Sequence, residues 1–209
     1  PTEYVQLFFD DAFVCRRGKE YDYVPLDDSL TRNNYDWDNL VYLDNNEVEY
    51  VRDGKRRAIK GIDVSKHQGH IDWERVYDDG VRFAFIRLGY RGYSSGKLMI
   101  DGYFEENIKG AIDAGVKVGV YFFSQAKTKK EAVSEANVVL KYIEGYDIDY
   151  PIVYDVEGAA NSSYRTYGLS RKQITDNAIA FLDTIEAAGY RSMIYSYSRF
   201  FIEQADLSR

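Results

Sequence analysis

Two acidic residues, Asp155 and Glu157, end a run of apolar residues that is typical of a buried strand. Residues 151–157 read Pro-Ile-Val-Tyr-Asp-Val-Glu. Side chains alternate between the two faces of a strand, so these two acids share a face with about 6–7 Å between them. Neighbouring acids push their pKa values apart, and one can stay protonated while the other ionises. Glycoside hydrolysis requires that arrangement, whereas the simpler alternative is a frayed strand end with incidental acids.

Two more charged residues follow the same pattern. Asp63 lies between apolar residues in a segment, residues 61–69, that reads Gly-Ile-Asp-Val-Ser-Lys-His-Gln-Gly. It is predicted to point inward, although capping a helix or bonding a backbone amide would explain it equally well. Arg87 is predicted to share a strand face with Phe83, Phe85 and Gly89. It could bond an acid or a sugar oxygen, or form a structural ion pair.

Three tyrosines are candidates for the walls of this site. Tyr121 lies on the third predicted strand, and Tyr195 and Tyr197 share a face of the fifth. A tyrosine ring packs against an apolar surface while its hydroxyl bonds a polar group, which suits a sugar ligand. The chain contains 20 tyrosines, although a single tyrosine is more often part of a core than of a binding site.

The sequence offers little for a metal site. His67 and His70 stand three residues apart without a clear third ligand, which is a weak zinc signal. Cys15 is the single cysteine, so an internal disulfide and a multi-cysteine metal site are excluded. We therefore expect neither a metal nor another cofactor.

The amino-acid composition limits the classes of partner that we expect for this protein. The 209 residues include 27 basic and 34 acidic side chains, a net charge of −7, which argues against a nucleic-acid-binding surface. No run of about 18 apolar residues is present, so we expect no membrane span in this chain. We expect a monomer.

From residue 61 onward, short β-prone runs alternate with stretches of helical periodicity. The predicted strands are Ile62–Ser65, Phe83–Gly89, Lys117–Ser124, Ile152–Glu157 and Ser192–Tyr197. The predicted helices are Ile71–Asp79, Tyr103–Ala114, Lys129–Ile143, Arg171–Ala188 and Ser198–Ala205. Gly115 and Gly189 follow two of these helices as C-cap residues. The alternation predicts an α/β fold with a parallel sheet. A TIM-like (β/α) barrel is favoured over a doubly wound sheet, because no Gly-x-Gly-x-x-Gly follows the first strand.

Residues 1–60 differ from the rest and predict a small β-rich extension or spacer. Short β-prone pieces, at Tyr4–Phe9 and Glu47–Val51, alternate with turn signals. The turn signals are Arg17-Gly18-Lys19 and Asp53-Gly54. We therefore divide the chain into a unit of residues 1–60 and a barrel of residues 61–209.

Five motifs in this order resemble glycoside hydrolase family 25, the lysozymes of bacteria and their phages. They are Asp63-Val-Ser-Lys-His-Gln-Gly, Ile71-Asp-Trp, Gly119-Val-Tyr-Phe-Phe-Ser, Tyr154-Asp-Val-Glu and Ile194-Tyr-Ser-Tyr. Each lies at or just after the end of a predicted strand, and the resemblance covers residues 61–209. Any one of these motifs alone would be a weak signal, whereas the ordered set is specific.

The resemblance implies an irregular barrel and hydrolysis of the β-1,4 bond between N-acetylmuramic acid and N-acetylglucosamine in peptidoglycan. It implies that Glu157 is the general acid and base, and that Asp155 orients the substrate's 2-acetamido group as that group attacks the anomeric carbon. Asp63 would be a further active-site acid. Arg87, Tyr121 and Tyr197 would contact the sugar.

The resemblance also implies strands and a late active-site aspartate after the fifth strand, for which the sequence up to Arg209 has no counterpart. We therefore expect an incomplete barrel, and an inactive fragment if the C-terminal truncation is real. A catalytically inactive wall-binding module and a chitinase-like hydrolase are the alternatives. The expected location is extracellular or in the cell wall, with an anchor that could precede residue 1.

Overall fold

The computed structural model describes residues 12–17, 19–31, 33–45, 47–159 and 161–209. Its strands are Ala12–Arg17 (β1), Glu20–Pro25 (β2), Leu40–Tyr42 (β3), Val48–Arg52 (β4), Lys55–Arg56 (β5), Gly61–Val64 (β6), Phe83–Arg91 (β7), Leu98–Ile100 (β8), Lys117–Ser124 (β9), Ile152–Val156 (β10) and Ser192–Tyr195 (β11). Its α-helices are Trp73–Asp78 (α1), Phe104–Asp113 (α2), Lys129–Tyr142 (α3), Arg171–Ala187 (α4) and Ser198–Glu203 (α5).

The central sheet contains five parallel strands in the order β6-β7-β9-β10-β11, with β8 antiparallel on β7. The spatial order of the parallel strands follows the chain order without the reversal that marks a doubly wound sheet. The prediction of an α/β fold with a parallel sheet is thus confirmed. Within the described residues β6 and β11 are not paired with each other, so the sheet is an open arc and a closed barrel is not shown.

One face of this sheet carries the main core. Alternate residues of β7, β9 and β10 are buried there, as the two-residue period of a strand requires, and the neighbouring helices cover them. The fully buried side chains of this layer include Ile86, Val118, Val120, Phe122, Ile152, Tyr154, Ile108, Val139, Phe181 and Ile185. Each large apolar side chain contributes about 1.5–3 kcal/mol to folding stability on burial. The packing on this helix-covered face therefore stabilises the whole sheet, including its opposite and more open face.

Local sequence signals set the ends of the helices. The Thr128 side chain caps α3 by accepting a hydrogen bond from the Glu131 backbone N–H. Ser170 and Gln173 form a reciprocal capping box at the start of α4. The predicted helices and strands of residues 61–209 are confirmed to within two residues at each end.

A β-bulge in β7 breaks the expected alternation. The pairing of β7 with β9 shifts between Arg87 and Gly89. A Cβ at Gly89 would meet the Phe122 ring, which belongs to the helix-covered face. The prediction that Gly89 shares the face of Phe85 and Arg87 is therefore wrong, because the extra residue reverses which side chains face the helices.

Before residue 61, the described residues form two small antiparallel units, β1-β2 and β3-β4-β5. Asp53 and Gly54 join β4 to β5 with φ values of 53° and 68°, as a type I′ turn requires. The predicted turn at residues 17–19 falls between β1 and β2, and its middle residue, like the β-prone piece Tyr4–Phe9, lies outside the described residues. Lys60 Nζ donates to Glu47 Oε1 and Asp79 Oδ2, each at 2.5 Å, and so ties this part to the loop after α1. No helix among the described residues is long and apolar enough to cross a membrane.

Candidate active site

The face of the sheet away from the helices forms the floor of an open cleft. Side chains from all five parallel strands line it, together with Glu157 just beyond β10. The lining residues are Asp63, Phe85, Arg87, Tyr121, Phe123, Val153, Asp155, Glu157, Met193 and Tyr195. The cleft has a volume of about 1030 Å³, counting the solvent-open space at its mouth. Six of the seven predicted site residues are thus brought together, and the exception is Tyr197.

Asp155 is the buried acid of the cleft. Only 8% of the residue is exposed, and its Oδ1 has no hydrogen-bond partner in the described part of the chain. Burial, followed by the nearby charge of Glu157, raises the pKa of Asp155 to about 7, against the opposing effect of Arg87. At neutral pH the Asp155 carboxyl is therefore partly protonated and partly ionised.

Glu157 is the exposed acid of the pair. β10 ends at Val156, one residue before the predicted end, so Glu157 stands at the carboxyl end of the strand, where its side chain reaches solvent. It lines both the cleft and a smaller pocket formed with Gly158, Asn177 and other residues. Its position allows a carboxyl group to meet a bound molecule at the mouth of the cleft.

Asp63 and Arg87 approach this pair from the neighbouring strands β6 and β7. Asp63 is exposed on the cleft side, and its charge contributes to the raised pKa of Asp155. Arg87 Nε donates to Asp101 Oδ2 at 2.7 Å, and its charge opposes that rise. Arg87 thus forms the ion pair that one of the predicted alternatives describes, and it also lines the cleft.

The three predicted tyrosines occupy different positions. Tyr121 is half-buried in the cleft, and burial raises its pKa to about 12, so its hydroxyl stays protonated at any working pH. Tyr195 lines the cleft and is 57% exposed. Tyr197 lies outside the cleft lining: β11 ends at Tyr195, Tyr197 precedes α5, and its hydroxyl accepts a hydrogen bond from Gln204 Nε2 at 3.3 Å. The prediction that Tyr195 and Tyr197 share a strand face is therefore wrong.

Sequence reasoning missed three contributors to the site. Phe123 and Met193 form part of the apolar floor, and strand alternation with Tyr121 and Tyr195 would have placed them there. Asp101 holds Arg87 from outside the cleft lining. It follows the short strand β8, which the sequence analysis did not predict, and so no pattern indicated it.

The two histidines follow β6, and neither is part of the cleft lining. His70 is largely exposed, and its Nδ1 lies 2.7 Å from Glu106 Oε1 with the Tyr103 ring edge-on beside it. Across the ranges that the structure describes, no group of three or more histidine, cysteine, aspartate or glutamate side chains could hold a metal ion.

The protein has a parallel sheet with a pair of carboxylates at the carboxyl end of one strand, and these face an open cleft with aromatic walls. This combination is typical of an α/β protein with a glycosidase-type site. Comparison with known families agrees with that class. Residues 62–209 match the model of Glycosyl hydrolases family 25. The chain belongs to this family.

Individual proteins show the same similarity. The chain is 29% identical to the "Autolytic lysozyme" of Clostridium acetobutylicum over 143 residues, which are 68% of this chain and 40% of that protein. It is 26% identical to the bacterial lysozyme of Streptomyces coelicolor, with a TM-score of 0.55 over 69% of this chain and 65% of that one.

The modular autolysin LytC of Streptococcus pneumoniae shares the fold more widely. Its structure superposes with a TM-score of 0.64 at 24% identity. The match covers 95% of this chain and 45% of that one, and so extends beyond the region of the family match. This chain spans less than half the length of the clostridial and pneumococcal proteins.

Proposed function

We propose that this protein is a peptidoglycan hydrolase that cleaves the β-1,4 bond between N-acetylmuramic acid and N-acetylglucosamine. The observation that carries the proposal is the placement of Asp155 and Glu157 side by side in the open cleft at the carboxyl end of β10. Family membership and the lysozymes among the relatives support the same substrate. The cell wall, outside the cell, is then the place of action.

Glu157 is proposed as the proton donor. Its carboxyl protonates the glycosidic oxygen while the bond from that oxygen to the anomeric carbon breaks, and Glu157 is left ionised. It then takes a proton from the water that attacks the anomeric carbon, which returns Glu157 to its starting state. Its exposed position at the cleft mouth supports this role, because both the leaving sugar and the incoming water must reach it.

Asp155 is proposed to act on the substrate's 2-acetamido group. The acetamido oxygen attacks the anomeric carbon as the leaving group departs, and positive charge develops on the acetamido nitrogen. When water then attacks that carbon, its bond to the acetamido oxygen breaks and the neutral acetamido group is restored. A carboxylate that accepts the N–H hydrogen bond stabilises that charge. Asp155 Oδ1 has no other partner in the described ranges, so this acceptor is available to a bound sugar. Asp63, on β6, adds further negative charge to the cleft.

The remaining cleft residues are proposed to hold the sugar. Tyr121 offers a hydroxyl that stays protonated, and Arg87 offers a fixed guanidinium. Tyr195 presents an exposed ring at one wall, on which the apolar face of a sugar can lie. Tyr197 remains a proposed contact only for a substrate that extends past Gly158.

The substitution Glu157→Gln tests the proposal. It removes the acid and base but keeps the shape, and general acid–base catalysis contributes about 10²- to 10⁴-fold to a rate. We expect release of reducing sugar from purified peptidoglycan to fall by about that factor or more. Glu105→Gln, on the exposed surface of α2, is the matched control and should retain full activity.

The comparison should use the full-length protein, because the chain spans only part of its relatives. A Glu157→Gln variant as active as the control would overturn the assignment. Binding of peptidoglycan without release of reducing sugar by the unmodified protein would instead indicate a wall-binding module. Release of reducing sugar from chitin rather than peptidoglycan would favour a chitinase-like enzyme.

We also propose that residues 1–60 and 61–209 are separate units. The family match begins at residue 62, and the sheets on the two sides of Lys60 are separate. The contacts of Lys60 with Glu47 and Asp79 would then connect the accessory unit to the hydrolase unit.

A further inference from the structure

Asp101 is a buried carboxylate that does not line the cleft. It lies between β8 and α2, and none of its side chain is exposed. Its Oδ2 accepts hydrogen bonds from Arg87 Nε at 2.7 Å and from the backbone N–H of Lys66 at 3.1 Å. Its Oδ1 accepts from the backbone N–H of Tyr103 at 3.0 Å. One carboxyl group thus joins β7, the loop after β6 and the start of α2.

Arg87 is held on one side by this carboxylate. Its Nη2 lies 2.7 Å from the same Asp101 Oδ2, but without the alignment of a hydrogen bond, and has no other partner within the described ranges. The guanidinium also lies over the Tyr90 ring, with 5.5 Å from Cζ to the ring centroid. Lys66 Nζ lies 5.5 Å from the centroid of the same ring.

The Arg87 guanidinium and the Asp155 carboxyl both line the cleft, but they are not paired with each other. Arg87 acts on Asp155 through its charge, yet Asp155 Oδ1 accepts no hydrogen bond from any described residue. A guanidinium free to turn would pair with a nearby buried carboxylate, because charge-assisted pairs of this kind are among the strongest hydrogen bonds. The contacts with Asp101 explain why Arg87 does not do so.

We propose that Asp101 is a positioning residue that holds Arg87 away from Asp155, so that the Asp155 carboxyl is left open for the substrate. The proposal deepens the proposed function, since the substrate it refers to is the sugar in the cleft. Asp101 itself touches no substrate and acts through Arg87.

The groups around Asp155 determine in which direction its titration midpoint is expected to change when Arg87 moves. Glu157 lies on its own strand, Asp63 and Arg87 face it from β6 and β7, and Tyr121 faces it from β9. Tyr195 is its register partner on β11. Arg87 is thus the single cation among these neighbours, and its movement decides whether the titration midpoint of Asp155 rises or falls.

The test is the titration of the Asp155 side-chain carboxyl by ¹³C NMR in the ligand-free protein. The Asp155→Asn spectrum assigns the signal. In Asp101→Asn, we expect the released guanidinium to turn towards Asp155, and a carboxyl that gains an Arg partner loses about one to three pH units from its midpoint. We expect the Asp155 midpoint to fall by at least about one unit. Asp113→Asn, on the exposed side of α2, should leave the midpoint unchanged.

A second variant separates action through Arg87 from a direct effect of the Asp101 charge. Removal of both partners in Asp101→Asn/Arg87→Met leaves no cation to move. The Asp155 midpoint should then lie above that of the unmodified protein, opposite to the single variant. A fall of the same size in both variants would show that Asp101 does not act through Arg87.

The remaining outcomes also decide the proposal. An unchanged or raised midpoint in folded Asp101→Asn, with folding checked by circular dichroism, would overturn it. If Asp101→Asn does not fold, Arg87→Lys serves instead, because a lysine cannot keep the Nε contact; an unchanged midpoint there would also count against the proposal. The readout needs no substrate, so failure of the hydrolase assignment would leave this test intact.

Discussion

At the scale of single residues, the cleft combines groups whose environments set different protonation behaviour. Burial and the Glu157 charge raise the pKa of Asp155, and burial raises that of Tyr121. A hydroxyl that never ionises near neutral pH is a constant hydrogen-bond donor, whereas a carboxyl with a pKa of about 7 changes state in that range. Tyr121 should therefore affect binding without affecting pH dependence.

The variant Tyr121→Phe tests this assignment. It keeps the ring in the cleft wall and removes only the hydroxyl, which at about 0.5–1.5 kcal/mol corresponds to a loss of up to about tenfold in kcat/KM. We expect the pH at which kcat/KM is half-maximal to stay unchanged. Steady-state kinetics on soluble peptidoglycan fragments across pH 5–9 would measure both quantities. A shifted pH profile would show that Tyr121 takes part in the protonation equilibrium.

The predictability of the site differs from residue to residue. Asp155 could be placed from strand alternation because it lies within β10. Glu157 stands one residue beyond that strand and still lines the same cleft. Asp101 could not be placed in this way, since its importance depends on its contact with Arg87, which lies 14 residues earlier in the sequence. Tyr197 was misplaced because the strand ends two residues early, and alternation holds only within a strand.

At the scale of elements, the cleft floor depends on close contact between neighbouring strands. Gly119 on β9 is the register partner of Phe85 on β7. A Cβ at position 119 would lie 2.5 Å from Phe85 Cε1 and 2.9 Å from the Pro151 carbonyl oxygen. The ring of Phe85 thus lies over the glycine, and a side chain there would displace it from the floor of the cleft.

We expect Gly119→Ala to destabilise the protein by about 1–3 kcal/mol, the usual effect of overpacking. The thermal midpoint should fall by about 2–4 °C for each kcal/mol in a chain of this size. Gly102→Ala is the control, because nothing lies within 4 Å of a Cβ there and its φ is not positive. Thermal unfolding followed by circular dichroism compares the two. Equal midpoints would show that the sheet can relax around position 119.

Helices and strands were predictable where the hydrophobic period was sustained, as in α3, α4 and β9. Two features at or next to β7, a bulge and the short strand β8, were not predictable. The bulge after Arg87 has no local signal, because it is defined by the pairing with β9 rather than by its own residues. β8 is only three residues long, Leu98–Ile100, and depends on the end of β7 as its partner.

At the scale of the whole molecule, the helix-covered face also contains a buried acid that the proposed mechanism does not use. Glu135 on α3 accepts hydrogen bonds from Arg91 Nε and the Ser124 hydroxyl, each at 2.6 Å, and the hydroxyls of Ser124 and Tyr154 lie 2.9 Å apart. Burial raises the pKa of Glu135 to about 7. This network connects α3 to β7, β9 and β10, the strand that carries Asp155.

Groups whose pKa values are shifted in opposite directions determine how folding stability depends on pH. For Asp155 and Glu135 the folded pKa is about 7, above the ordinary values of 3.8 and 4.5. In that window the folded state binds more protons than the unfolded state, so stability falls as pH rises towards about 7. Hydrogen bonds from Lys172 and Arg209 lower the pKa of Asp176 to about 2, and the stability it contributes is lost as pH falls below 3.8. The free energy of unfolding should therefore be greatest near pH 4–5.

The variant Asp155→Asn tests that argument, because it removes an acid whose ionisation opposes folding. We expect the thermal midpoint of the unmodified protein to fall between pH 5 and pH 7.5, and Asp155→Asn to unfold at a higher temperature at pH 7.5 with a smaller difference at pH 5. A gain of about 2 kcal/mol would raise the midpoint by about 4–8 °C. The exposed Asp113→Asn should follow the unmodified protein at both pH values. If the midpoint of the unmodified protein instead rises with pH and Asp155→Asn gains nothing, the carboxyl ionises in the folded cleft as readily as in the unfolded chain.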